Sequence, residues 1–168
     1  MQATVTQVIK MARQAGAEAA AAKLHELQAA GPAWTVHDTG LAGTATTENQ
    51  VGTMLDLCGG AFIIIDNART KVFKTFKQAM ATADAARPRR DFTDPDYSPF
   101  SIGAVMAHKA DVDDRWYLRR DDYRGRYILS IFDMTGRQEV SVNETAARAA
   151  LEVLRSFGLE GHIETYID

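Results

Sequence analysis

Cysteine is almost missing from this chain. Cys58 is the only one in 168 residues, which excludes an intramolecular disulfide and any zinc site built on paired cysteines. Long apolar runs are missing too: the most apolar stretch, "AFIIID" at 61–66, falls far short of the roughly 20 residues that a membrane-spanning helix needs. The amino-terminal "MQATVTQVIKMARQ" carries charge where a secretory signal would place its apolar core. A cytoplasmic location with no membrane partner is the expectation. Proline is scarce and uneven: three of its four copies, Pro88, Pro95 and Pro99, fall in "PRRDFTDPDYSP", which reads as a surface connection over 88–99. No phosphate-binding glycine loop is present, because "LCGGAF" follows a predicted helix and precedes a predicted strand, the reverse of the order such a loop requires.

What is present fits a water-soluble globular domain, with 46% hydrophobic and 24% charged residues. A chain of this length forms one domain with a sizeable core, so residues 1–168 are taken as a single α+β unit. Residues 1–30 hold a long alanine-rich helix, with Val5, Val8, Ala12, Ala15, Ala19, Ala22 and Leu24 at helical spacing. That stripe suits close packing on the rest of the chain or on a second copy, a homo-oligomer through the N-terminal helix. "AGP" at 30–32 ends it. "AWTVHD" reads as a short strand, and Thr47 as the cap of a helix carrying Val51, Met54, Leu55 and Cys58, stopped by Gly59 and Gly60.

"AFIIID" then reads as a central strand covered on both faces. Residues 68–84 form an amphipathic helix with Val72, Phe73, Phe76, Ala79, Met80 and Ala83 inward. "SIGAVMAH", "RWYLRR", "RYILSIFD" and "QEVSVN" read as successive strands of an antiparallel meander. A helix capped by Asn143 and stopped by Gly158 follows, and "HIETYI" closes the chain as a strand.

Charge is uneven. From Arg69 to Arg90 the basic residues Arg69, Lys71, Lys74, Lys77, Arg87, Arg89 and Arg90 face one acid, Asp84, in a chain of net charge −3. Such a segment suits an anionic partner. The stretch "RWYLRRDDYRGRY" at 115–127 holds five arginines and four aromatic rings. In a hairpin, Trp116 and Leu118 share one face, and Arg115, Tyr117 and Arg119 the other. That second face has the residue types that stack bases and neutralise phosphates. The aspartates around it, Asp111, Asp113, Asp114, Asp121 and Asp122, favour internal ion pairs instead.

"DFTDPD" and "HKADVDD" lack the geometry of a calcium loop, so no metal or cofactor is expected. For catalysis the available groups are Cys58, on an apolar helix face, and His25, His37, His108 and His162, of which His37 followed by Asp38 is the best placed as a base. The sequence therefore leans away from an enzyme. Its leading expectation is a binding protein acting through protein–protein contacts, followed by a nucleic-acid-binding accessory protein using Lys71, Lys74, Lys77, Arg87, Arg89, Arg90, Arg115, Tyr117 and Arg119. A small enzyme built on His37, Asp38 and Cys58 is the third.

Overall fold

The computed structural model describes residues 4–37, 43–44, 46–85, 118–121, 124–130, 135 and 137–167. The expected connection at 88–99 and strand "SIGAVMAH" lie outside the described residues. Those described form an α+β fold of three helices and two antiparallel sheets: α1 (Val5–Ala30), β1 (Trp34–His37), β2 (Gln50–Met54), β3 (Gly59–Ile65), α2 (Lys71–Ala85), β4 (Leu118–Arg120), β5 (Tyr127–Ser130), α3 (Val140–Ser156) and β6 (Gly161–Ile167).

β1 and β2 make a two-stranded ribbon, and the other strands form one sheet in the order β4-β5-β3-β6. Neighbours are antiparallel as expected, but only β4 and β5 are also consecutive in the chain. Among the described elements the chain order is β3, α2, β4, β5, α3, β6, so this sheet is not a simple meander. β3 lies between β5 and β6, and all of its residues except Phe62 are buried, as its unbroken apolar run predicts. Ala61, Ile63 and Ile65 turn to the helices and join Phe73, Phe76 and Met80 of α2, Val142, Ala146, Ala147, Ala150, Leu151 and Leu154 of α3, and Leu129 of β5 in one core.

α1 begins in a capping box, Thr4 accepting from the Gln7 amide while the Gln7 side chain accepts from the Thr4 amide. It packs chiefly along α3. Its buried row is Val8, Ala12, Gly16 and Ala20, one step round the helix from the expected Ala15, Ala19 and Ala22, and Ala22 is exposed. Of the two packings expected for this helix, on its own chain or on a second copy, α3 of the same chain takes the buried row.

Two expectations fail near the middle of the chain. Residues 47–58 are not a helix: Thr47 starts only a single 3-10 turn, Thr47–Asn49, and the chain then pairs as β2 with β1, Trp34 opposite Met54 and Val36 opposite Gly52. Gly52 disfavours a helix here by about 1 kcal/mol, and the partner strand supplies what the local pattern could not show. Gly59 and Gly60 accordingly open β3 rather than stop a helix. "QEVSVN" is not a strand either: α3 starts at Val140, because Val142 continues the apolar row of Ala146, Ala147 and Ala150 back by one turn. Asn143 is inside the helix, not its cap. Fully buried, its amide donates to the carbonyls of Gly59 and Arg137 and accepts from the Thr135 hydroxyl at 2.6 Å.

The N-cap residue of α3, Glu139, makes no side-chain cap bond. The cap comes from the segment before β3: the Ser141 N–H donates to the Asp56 carboxylate at 2.8 Å, and the Val140 N–H to the Leu57 carbonyl at 3.0 Å. A carboxylate there also meets the positive end of the helix dipole. Burial works against the ionised form of Asp56, but hydrogen bonds from Ser141 and Leu57 and the charge of Lys23 together hold the acid below its ordinary pKa. The other end closes as expected at Gly158, whose φ of 91° admits a Schellman turn: its N–H reaches Arg155, and that of Leu159 reaches Leu154.

A depressed acid contributes stability above its unfolded pKa and loses it as pH falls through the folded one. Asp56→Ala is therefore expected to cost about 1 kcal/mol at neutral pH. Urea unfolding at several pH values should show the gap to the parent closing below about pH 4; a pH-independent gap would mean that the charge of Asp56 is immaterial.

Candidate functional site

All three helices join the core on one face of the four-stranded sheet, through residues that alternate with Phe62, Ile64, Ile128, Glu164 and Tyr166. No described helix covers the opposite face. There, strand register sets side chains in rows: Arg119, Ile128, Ile64 and His162 in one, Ser130, Phe62 and Glu164 in the next, Gly60 and Tyr166 in the third.

Two linked groups occupy it. The first is a stack: the Phe62 and Tyr166 rings lie 5.1 Å apart at 15°, and the Arg119 guanidinium sits over Phe62 at 5.5 Å from the ring centre. Gly60 makes room for it, because a β-carbon there would stand 2.6–2.8 Å from the Tyr166 ring and hydroxyl. The second is a charge relay across the sheet. Arg126, at the start of β5, reaches over β3 and grips Glu164 of β6 with both terminal nitrogens, Nη2 to Oε2 at 2.8 Å, while its Nε donates to Asp121 at 3.1 Å. Hydrogen bonding from Arg126 holds Glu164 below the usual carboxylate range despite the opposing effect of burial.

His162 continues the line. Its Nδ1 is 2.9 Å from Asp66 and its Nε2 3.6 Å from Glu164. Since a carboxylate only accepts, Nδ1 carries the proton. Phe62, Arg119, Arg126, Glu164 and Tyr166 border a cleft of about 410 Å³, an aromatic floor beside a neutralised ion pair. Such a surface can stack a planar group or accept an apolar side chain next to a polar one.

The residues singled out from sequence divide between places. Arg119 belongs to this face, and Leu118 turns to the core side as alternation predicts. Lys71, Lys74 and Lys77 are on α2, behind the sheet, so the lysine helix and Arg119 do not share a face. Arg120, next to Arg119, turns toward the helix side, opposite Tyr127, whose hydroxyl accepts from Lys77 at 2.8 Å. His37 pairs with Gln50 at the outer end of the ribbon and meets the Thr46 carbonyl at 2.8 Å. Cys58 lies beyond the other end of β2, bridged to Glu139. β2 alone separates the two levels by roughly 13 Å, so the structure does not bring His37 and Cys58 together. Asp38, Arg87, Arg89, Arg90, Arg115 and Tyr117 lie outside the described residues.

Sequence reasoning missed Phe62, Glu164 and Tyr166. Their signal was the inward–outward alternation of "GGAFIII" against "GHIETYI", legible only once the two segments are paired. Among the described residues no group of three or more His, Cys, Asp or Glu side chains is placed to hold a metal ion, and no helix is long and apolar enough to cross a membrane. No protein-family model, curated protein or solved structure matches the chain.

Gly60→Ala is expected to leave the protein folded, since only a side-chain ring must shift, but to displace Tyr166 from Phe62. Near-ultraviolet circular dichroism should fall as it does in Tyr166→Ala; an unchanged spectrum would show that the stack does not need the glycine.

Proposed function

We propose that this protein works by binding a protein partner, with the β1–β2 ribbon as its contact surface. The observation that carries the reading is Trp34, 54% exposed, with Val36 two residues along at 37%. The two share one side of β1, and Met54 stands opposite Trp34. None of the three belongs to the core cluster. A lone two-stranded ribbon is at best marginally stable in water, and tryptophan is among the residues enriched at binding hot spots. The expectation from sequence was contact through basic segments; the apolar ribbon is the stronger support for the same function.

Because Trp34 is exposed, Trp34→Ala is expected to leave thermal stability nearly unchanged while weakening partner binding by roughly 2 kcal/mol, about thirtyfold. Affinity capture from cells with parent and variant, followed by titration of the captured partner, measures this. Equal affinity for both chains removes the ribbon from the interface, and a large loss of stability would assign Trp34 to the protein's own packing.

A second reading, a single-stranded nucleic acid on the helix-free face, is favoured by the Arg119–Phe62–Tyr166 stack, since aromatic rings on a four-stranded sheet are a common platform for unpaired bases. Against it, Arg126 is already neutralised by Glu164 and Asp121, leaving little charge there for phosphates. It predicts low-salt binding of a single-stranded oligonucleotide that Tyr166→Ala weakens by about 1–3 kcal/mol; fluorescence anisotropy that stays flat at low salt rejects it.

A further inference from the structure

Toward the β4 edge of the four-stranded sheet, three hydrogen-bond donors stand on three elements, Lys77 on α2, Tyr127 on β5 and Arg120 on β4. Lys77 of α2 donates to the Tyr127 hydroxyl at 2.8 Å, and its ammonium also lies 4.9 Å from the centre of that ring. Tyr127 is held from behind by Phe73, their rings 4.7 Å apart. Arg120 stands directly opposite Tyr127 in the β4–β5 register, exposed, its guanidinium beside the Gly125 turn. Neither Lys77 nor Arg120 forms an ion pair within the described chain, whereas Asp121, the acid adjoining Arg120, is engaged by Arg126 at 3.1 Å.

The hydrogen bonding at Tyr127 is one-sided. Its oxygen accepts from Lys77, so its own proton must point to another acceptor, and the described residues supply none. The hydrogen bond from Lys77, ahead of the opposing effect of burial and joined by the charges of Lys77 and Arg120, holds the phenol below its ordinary pKa. An ammonium, a phenolic O–H and a forked guanidinium thus lack a shared acceptor. A carboxylate offers two oxygens in one plane; a tetrahedral phosphate offers three to separate donors, with nearly two charges at neutral pH.

We propose that Lys77, Tyr127 and Arg120 form a receptor for a phosphate monoester on the side of the sheet to which Tyr127 turns, next to the Phe62–Tyr166 cleft, which Arg120 also borders. Lys77 supplies charge at the mouth, Arg120 binds two oxygens, and the Tyr127 hydroxyl, aligned by the Lys77 bond to its oxygen, donates to a third. Lys74, one turn earlier on α2, and Arg124, in the β4–β5 turn, add longer-range attraction for the same anion.

The test is titration of the full chain with inorganic phosphate at constant ionic strength, following the ring resonances of Tyr127, assigned by their loss in Tyr127→Phe. A saturable shift at millimolar phosphate is expected, absent with chloride. Arg120→Gln and Lys77→Gln should each weaken it about tenfold, equivalent to roughly 1.4 kcal/mol. In Tyr127→Phe, which keeps the ring against Phe73, phosphate binding read by calorimetry should weaken by a smaller factor. Parallel titrations with dimethyl phosphate and with a single-stranded oligonucleotide separate a monoester from a diester source. No saturable shift with phosphate, equal affinity in Arg120→Gln, or tighter binding of the diester probes than of phosphate would each overturn the proposal.

Discussion

The double burial of β3 is the constraint on which the rest of the described structure depends. A strand hydrogen-bonded on both edges and covered on both faces satisfies every backbone group within the sheet, but each face needs its own cover. On one face the cover is helical: α2 and α3 close over Ala61, Ile63 and Ile65, and α1 lies along α3. On the other, Ile64 is only 2% exposed without a described helix above it. The Arg126–Glu164 bridge crosses there, spanning two inter-strand spacings or roughly 10 Å. Its aliphatic stem can shield isoleucine while its guanidinium stays with acids. A partly exposed pair of this kind adds little to stability; its effect is to fix the position of polar groups on a surface otherwise made of Ile64, Ile128 and two aromatic rings.

The entry to β3 ties the three parts of the fold together. Asp56 and Leu57 cap α3, the Gly59 N–H donates to the Gln138 carbonyl at 2.7 Å, and Asn143 reaches from inside α3 to the Gly59 carbonyl. The segment that leaves the ribbon therefore supplies the helix with its missing acceptors and receives the helix's buried amide in return. Because a buried amide left unsatisfied costs more than a formed hydrogen bond returns, the junction holds as a unit. It fixes where the ribbon departs, and with it where Trp34 stands.

Much of this was legible in the sequence where the determinants are local. The ends of α1, the apolar run of β3, the Phe73–Phe76–Met80 stripe of α2 and the Gly158 stop all follow from spacing and from the conformational limits of proline and glycine. Failure came where the determinant is distant. Residues 50–54 are a strand because 34–37 pair with them, and the early first turn of α3, which Val142 brings into the apolar row, has its cap from Asp56, 85 residues away. On α1, a run of alanines gives no ranking among faces, and the buried row of Val8, Ala12, Gly16 and Ala20 is the one that lies along α3. The cleft was hidden for the same reason: Arg126 and Glu164 are 38 residues apart, and nothing near either marks the other.

Strand alternation also changes what a charge count over residues 115–127 means. Summed along the chain, the arginines and aspartates nearly cancel and suggest a neutral hairpin. In the structure, adjacent arginines separate: Arg119 turns to the aromatic face and Arg120 to Lys77 and Tyr127, while Arg126 takes Asp121 with it into the bridge to Glu164. Among the described residues neutralisation is thus concentrated on one arginine, and Arg119 and Arg120 on either side of one short strand form no ion pair. Among the described residues Asp121 and Glu164 neutralise Arg126 beside the stack, while Lys77 and Arg120 form no ion pair, so the stacking reading and the proposed anion receptor rest on different groups.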